Sequence, residues 1–156
     1  DINTEVTIFN SIQELPEEIK KLMNAAKQAK ENAYAPYSKF KVGAAFLLEN
    51  GKLVSGNNQE NAAYPSGMCA ERVAIWKVAS EFPSAIIKSL AITASSSSQL
   101  LTEPVAPCGG CRQTMLEYEL KQEQPIEIYF MGEEGKVLKM NSILDLLPIA
   151  FDKSFL

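Results

Sequence analysis

Cys69-Ala70-Glu71-Arg72 is the stretch around which this 156-residue chain is organised, and Pro107-Cys108-Gly109-Gly110-Cys111 is its distant complement. Between them they use all three cysteines of the protein. Three thiols, two of them at C-x-x-C spacing, suit a three-ligand metal site whose fourth position stays open for water. That is the arrangement of a catalytic zinc, because a structural zinc takes four protein ligands. Water held there needs a group to take and return its proton, and the chain contains no histidine. Glu71, two residues beyond the first ligand, is the best-placed carboxylate for that task. Each ligand word opens a helical pattern after a strand and a loop, so two parallel helix starts would converge on one metal and bring Cys69 to Cys108. This requirement decides the fold.

Working outward from Cys69, Ala70, Ala74, Ile75, Val78 and Ala79 interleave with Val73, Trp76 and Lys77 in a helix that is apolar over most of its surface. Such a helix is expected to be central and well covered, with Trp76 in the core. Its first turn holds Cys69, Glu71 and Arg72, where free N–H groups and the positive end of the helix dipole favour thiolate over thiol. Upstream, Asn58 to Met68 is a polar loop of the kind that carries ligand-recognition groups. Asn58 offers a donor and an acceptor and Glu60 accepts, which suits sugar hydroxyls or, equally, a turn or cap. Val42 to Leu48 and Leu53 to Asn57 read as two strands joined by Asn50-Gly51, a tight-turn signal for an antiparallel hairpin. Phe40 stands at its entrance, either as core or as an aromatic face toward a ligand. Before it, Leu15, Ile19, Leu22, Met23, Ala26 and Ala29 recur at helical spacing up to about Asn32, with Pro16, Glu17 and Glu18 at the start.

Downstream, Phe82-Pro83-Ser84 ends the central helix and Ile86 to Thr93 supplies a third strand, followed by the polar loop Ser95-Ser96-Ser97-Ser98. A helix over Cys111 to Leu120, strands over Ile126 to Met131 and Val137 to Met140, and a last helix from Ser142 to Leu147 complete the order α-β-β-α-β-α-β-β-α. Thr7-Ile8-Phe9 reads as a short strand or an ordered arm. The expectation is one α/β domain over residues 1–156, a layered sandwich with a five-stranded mixed sheet and helices on both faces. The two metal-bearing helices would lie adjacent on one face.

Taken together, Cys69-Ala70-Glu71 and Pro107-Cys108-Gly109-Gly110-Cys111 resemble the signature of the zinc nucleoside and nucleobase deaminases. Tyr37-Ser38-Lys39-Phe40-Lys41-Val42-Gly43-Ala44-Ala45, Asn58-Gln59-Glu60-Asn61-Ala62-Ala63-Tyr64 and Cys111-Arg112-Gln113 narrow the likeness to the small three-cysteine cytidine deaminases. The resemblance runs from about Leu15 to Phe151. It implies one Zn²⁺ per chain on Cys69, Cys108 and Cys111, with Glu71 as proton carrier. The activity it implies is hydrolysis of cytidine and 2′-deoxycytidine to the uridine products and ammonia, a step of pyrimidine salvage. It also implies that Asn58 and Glu60 hold the ribose, that Phe40 packs on the base and that the Ala70 backbone reads the base carbonyl. A homotetramer follows from it too, in which Phe151 of Leu146-Leu147-Pro148-Ile149-Ala150-Phe151 reaches a neighbour's site, where a local core contact is the plainer reading. Arg72, permanently charged beside Cys69, stands behind the ligands as a donor to the thiolates or forms an ordinary surface ion pair.

Composition bounds the alternatives. A net charge of −4 and a pI near 5.0 weigh against a polyanion as main partner, because phosphate contacts need clustered Lys and Arg. Lys20, Lys21, Lys27 and Lys30 sit among glutamates on the first predicted helix, as a solvated face does. No apolar run is long enough to span a bilayer. The opening Asp1-Ile2-Asn3-Thr4-Glu5 lacks the pattern of a signal peptide, and an odd cysteine count suits reduced thiols, so a cytoplasmic setting is expected. Two rival readings stay in view: a related deaminase acting on a nucleic-acid base or an aminonucleoside antibiotic, and a non-catalytic zinc module in which a carboxylate is the fourth ligand.

Overall fold

The computed structural model describes all 156 residues. Its core is a sheet whose strands are covered on both sides, which is why β2 (Phe40–Leu48) and β4 (Ile87–Ser96) read as near-continuous apolar runs instead of alternating ones. Alternate residues of β2 nonetheless serve different layers. Ala45 and Leu47 pack under α1 (Glu17–Glu31) with Leu22, Met23 and Ala26, whereas Ala44, Phe46 and Leu48 pack with Ala74, Ile75, Met115 and Leu116. Each large apolar side chain so buried contributes about 1.5–3 kcal/mol. Two glycines set how near the layers come. A Cβ on Gly43 would lie 1.9 Å from the Ala26 carbonyl of α1, and one on Gly56 of β3 (Leu53–Asn57) would lie 2.8 Å from the Ala74 nitrogen of α2 (Ala70–Glu81).

The sheet has six strands where five are expected. The order is β1-β6-β5-β4-β2-β3, with β5 spanning Glu127–Met131 and β6 Val137–Met140. The added strand is β1 (Thr7–Phe9), which pairs antiparallel with β6, Ile8 opposite Leu138. Three residues are too few to show an alternating pattern, and the edge of β6 supplies the hydrogen bonds that the segment could not arrange for itself. The fourth expected helix is a 3-10 turn, Ile143–Leu146, started by Ser142, whose hydroxyl accepts from the Leu144 N–H 3.1 Å away. Four residues before a proline leave no room for an α-helical ladder. Ser95 and Ser96, expected in a loop, extend β4 instead, because β2 continues opposite them as far as Phe40.

The connections explain the position of the ligands. Only β4 and β5 are parallel neighbours, and β3, antiparallel to β2, runs the same way as β4. The segments β3-α2-β4 and β4-α3-β5, with α3 over Gly109–Gln122, are therefore crossovers between like-directed strands. Both helices pack on the same face and both begin at the carboxyl ends of their strands, the usual place for a ligand in such a sheet. The adjacency expected of the two helices is what the fold shows. Trp76 departs from expectation: it is 42% exposed on the outer side of α2. The helix buries Ala70, Ala74, Ile75 and Val78, so its apolar residues exceed what one face can cover.

Candidate active site

Cys69 and Cys108 are the N-caps of α2 and α3, and neither side chain makes a capping hydrogen bond to its helix. At a position that favours Ser, Thr, Asp or Asn for capping, the sequence places a thiol free to turn elsewhere. Cys111 follows in the first turn of α3 and is fully buried. The three sulfur atoms lie within 4.8 Å of one another, and Cys108 Sγ is 3.5 Å from Cys111 Sγ. Tetrahedral zinc with sulfur at about 2.3 Å needs sulfurs roughly 3.8 Å apart, so this soft donor set fits one such ion.

Glu71 stands beside the sulfurs. It is 6% exposed, and its Oε2 accepts from Cys111 Sγ at 3.2 Å. Burial pushes its carboxyl above the usual carboxylate range. The two inner thiols share charge unequally. The neighbouring Cys111 thiol, and after it the Arg72 guanidinium, draws Cys69 down to about 5, against the opposing effect of burial. Cys111 is pushed up by the adjacent Cys69, by burial and by Glu71. A bound divalent cation overrides this ordering, because a coordinating thiol is deprotonated outright. Arg72 Nη2 donates to Cys69 Sγ at 3.4 Å, and its guanidinium lies over Gly110 at the start of α3. The surface ion pair is absent: no carboxylate pairs with Arg72.

In front of the sulfurs opens a cavity of about 810 Å³. It arises where β2 outruns the helices that cover it. Phe40 and Val42 lie on the same side of the strand as Ala44 and Phe46, but they reach past the starts of α2 and α3 and so line open space. Asn58, Glu60, Cys69, Ala70, Glu71, Arg72 and Cys108 line it too, so most of the expected site residues come together. Asn58 is also structural: its Oδ1 accepts from Val42 N and its Nδ2 donates to the Phe40 carbonyl, both at 2.8 Å. One acceptor and one donor remain on that amide for a ligand. Glu60 accepts from the Tyr37 and Ser38 N–H groups at 2.9 and 3.2 Å and from the Ser38 hydroxyl. These bonds hold its carboxyl below the usual range, and they tie the 37–38 loop to the cavity rim.

Phe151 is the exception. It lies outside this cavity, 60% exposed, with its ring stacked on Phe155 at 5.6 Å. Other residues enter that the sequence did not single out. Tyr37 and Tyr64 meet edge to face at 6.2 Å at the mouth, and Met68, Val105 and Ala106 add apolar wall. Both tyrosines stood at the ends of words already legible, Tyr-Ser-Lys-Phe and Asn-Ala-Ala-Tyr, but nothing in their spacing marked them as facing one another.

The geometry agrees with the similarities to known proteins. Residues 16–124 match the family described as the cytidine and deoxycytidylate deaminase zinc-binding region. A cytidine deaminase of Sporosarcina psychrophila is 39% identical over 136 residues, covering 87% of this chain and 93% of that protein. A cytidine deaminase of Mycobacterium tuberculosis is 36% identical, covering 83% and 86%. The crystal structure of cytidine deaminase from Burkholderia pseudomallei is 38% identical with a TM-score of 0.73, covering 88% of this chain and 100% of that one. Likeness of this extent, through both ligand words in sequence and across the sheet in backbone, means that the chain belongs to the cytidine and deoxycytidylate deaminase family.

Proposed function

We propose that the protein is a zinc-dependent aminohydrolase that converts cytidine and 2′-deoxycytidine to uridine and 2′-deoxyuridine with release of ammonia, as pyrimidine salvage requires. The observation that carries this reading is the buried Glu71 carboxylate, 3.2 Å from one of three clustered thiols at the floor of the cavity. Cys69, Cys108 and Cys111 hold the ion. When bound, zinc supplies the Lewis acidity that makes water a nucleophile near neutral pH. The remaining work belongs to the chain. Glu71 carries both protons of the attacking water in turn, the first to the ring nitrogen and the second, from the new C4 hydroxyl, to the amine leaving C4. Burial suits it to the task, because it raises the carboxyl above the usual carboxylate range and makes the group a stronger proton acceptor than a solvated glutamate.

Phe40 packs on the pyrimidine, Asn58 and Glu60 receive the sugar hydroxyls, and the first N–H groups of α2 at Ala70, which have no partner within the helix, face the base carbonyl. A free nucleoside suits this cavity better than a polynucleotide, because its one lining cation, Arg72, already serves Cys69. A panel of cytidine, 2′-deoxycytidine, cytosine-containing oligonucleotides and aminonucleoside antibiotics tests the choice. Turnover confined to the oligonucleotides or the antibiotics would overturn it. Three reduced thiols in one ligand set support a cytoplasmic setting, and no helix is long and apolar enough to cross a membrane.

Three thiolates on Zn²⁺ leave a net charge of −1, which disfavours ionising a nearby water. Arg72 offsets that charge. Arg72→Gln is therefore expected to weaken zinc retention and turnover by about tenfold, at the low end for groups placed behind metal ligands. Cys69→His, which removes the surplus charge, should make the same substitution less harmful. Simple additivity in this double-mutant cycle would refute the charge-balancing role.

The protein works as a homotetramer in this reading. Phe151 stands free of its own cavity, and Trp76, Ile149 and Phe155 add exposed apolar surface. Light scattering of the active form should give about four times the 17.2 kDa chain mass. A fully active monomer at assay dilution would contradict it.

A further inference from the structure

Arg112 follows the last ligand, and the mechanism above gives it no part. Its Nε donates to the Pro107 carbonyl at 2.8 Å and its Nη1 to the Leu146 carbonyl at 3.1 Å. Pro107 is the residue immediately before Cys108, and Cys108 needs such support. It is exposed, its side chain makes no cap bond, and Cys111 Sγ is its one side-chain partner. The other carbonyl belongs to the end of the 3-10 turn Ile143–Leu146. Helix α3 holds this carboxyl-terminal segment at two further points. Glu119 accepts from the Ser142 hydroxyl and from Ile143 N at 2.7 Å, and Gln113 Nε2 donates to the Phe151 carbonyl at 2.9 Å. Of the three fasteners, Arg112 alone also grips the metal loop.

We infer that Arg112 is a positioning residue that aims Cys108 at the metal and couples metal retention to the docking of residues 146–151. The inference rests on the zinc reading given above. A planar guanidinium can hold two carbonyls in fixed relation, which a lysine ammonium on a flexible stem does not. Coupling of this kind is reciprocal. If the docked segment steadies Cys108 through Arg112, a bound metal must in turn steady the segment.

Two measurements test this on the full-length chain. The first is the rate at which zinc passes to an excess of a coloured chelator from the parent, Arg112→Met and Gln113→Leu. Arg112→Met is expected to release zinc about tenfold faster, while Gln113→Leu, which loosens only Phe151 at the far end and leaves the Arg112 bonds to Pro107 and Leu146 in place, should speed release by no more than about twofold. The second needs no variant: amide hydrogen exchange of residues 147–151 in the parent, with zinc and after its removal. Zinc should slow that exchange, and in Arg112→Met it should not. Release from Arg112→Met at the parent rate would overturn the inference, as would equal acceleration by Gln113→Leu, which would mean general loosening. Exchange in the parent that ignores zinc would overturn it even if Arg112→Met fails to fold. A parent that binds no zinc would bring down the metal reading itself, an outcome distinct from these.

Discussion

Glu71→Gln should keep its zinc and its fold and lose most of its turnover, by about 10²–10⁴-fold, the range typical of a general acid–base group. Glutamine has the shape of glutamate and fills the same buried place beside Cys111. What it cannot do is take up a proton and give it back. The loss corresponds to about 2.7–5.4 kcal/mol of transition-state stabilisation. It should fall on kcat and leave KM close to the parent value, because Phe40, Asn58 and Glu60 are untouched. Steady-state kinetics beside metal analysis decide the matter. A zinc-loaded Glu71→Gln within a factor of about three of the parent would end the proposed role, since no acid–base catalyst of this kind contributes so little.

Removing a ligand should cost more, and Cys108 is the position at which that loss can be separated from unfolding. Cys111 is fully buried among Met115 and Leu116, so truncating it disturbs the core as well as the metal. Cys108 is exposed at the cap of α3. Cys108→Ala is thus expected to leave the stability of the metal-free chain near that of the metal-free parent. Zinc affinity should drop by more than about 10²-fold, beyond what loss of a group merely supporting a ligand costs. Turnover should vanish with the metal. Elemental analysis showing full zinc in Cys108→Ala would remove the ligand assignment.

How much of this was legible beforehand divides along physical lines. The hairpin at Asn50-Gly51, the two ligand-bearing helices and their shared face could be read because local chemistry and topology agree there. A turn residue fixes β2 against β3, and cysteines at two helix starts demand that those starts meet. Pairing partners are not written locally. Thr7–Phe9 became a strand because β6 offered an edge, and Ser95 and Ser96 joined β4 because β2 ran on beside them. The last turn failed as an α-helix for want of length before Pro148. Trp76 was misplaced because helical spacing gives a face its residues but not its cover.

Within the site, residue types and order located Cys69, Glu71, Cys108 and Cys111. Arg72 followed from charge counting, and the structure puts its Nη2 3.4 Å from Cys69. Asn58 carries two duties that a sequence cannot separate, since one amide ties two backbone groups of β2 and still faces the cavity. The span of Arg112, from Pro107 to Leu146, depends on where the chain end folds back, which no spacing near residue 112 discloses.

The most direct test is to incubate the purified, zinc-loaded chain with cytidine and follow its ultraviolet absorbance, with uridine and ammonia measured at the end. Uridine and ammonia should appear in equal amounts as cytidine disappears, and the reaction should stop when a chelator strips the metal and resume when zinc is restored. Zinc-loaded protein that leaves both cytidine and 2′-deoxycytidine unchanged would contradict the proposed activity outright.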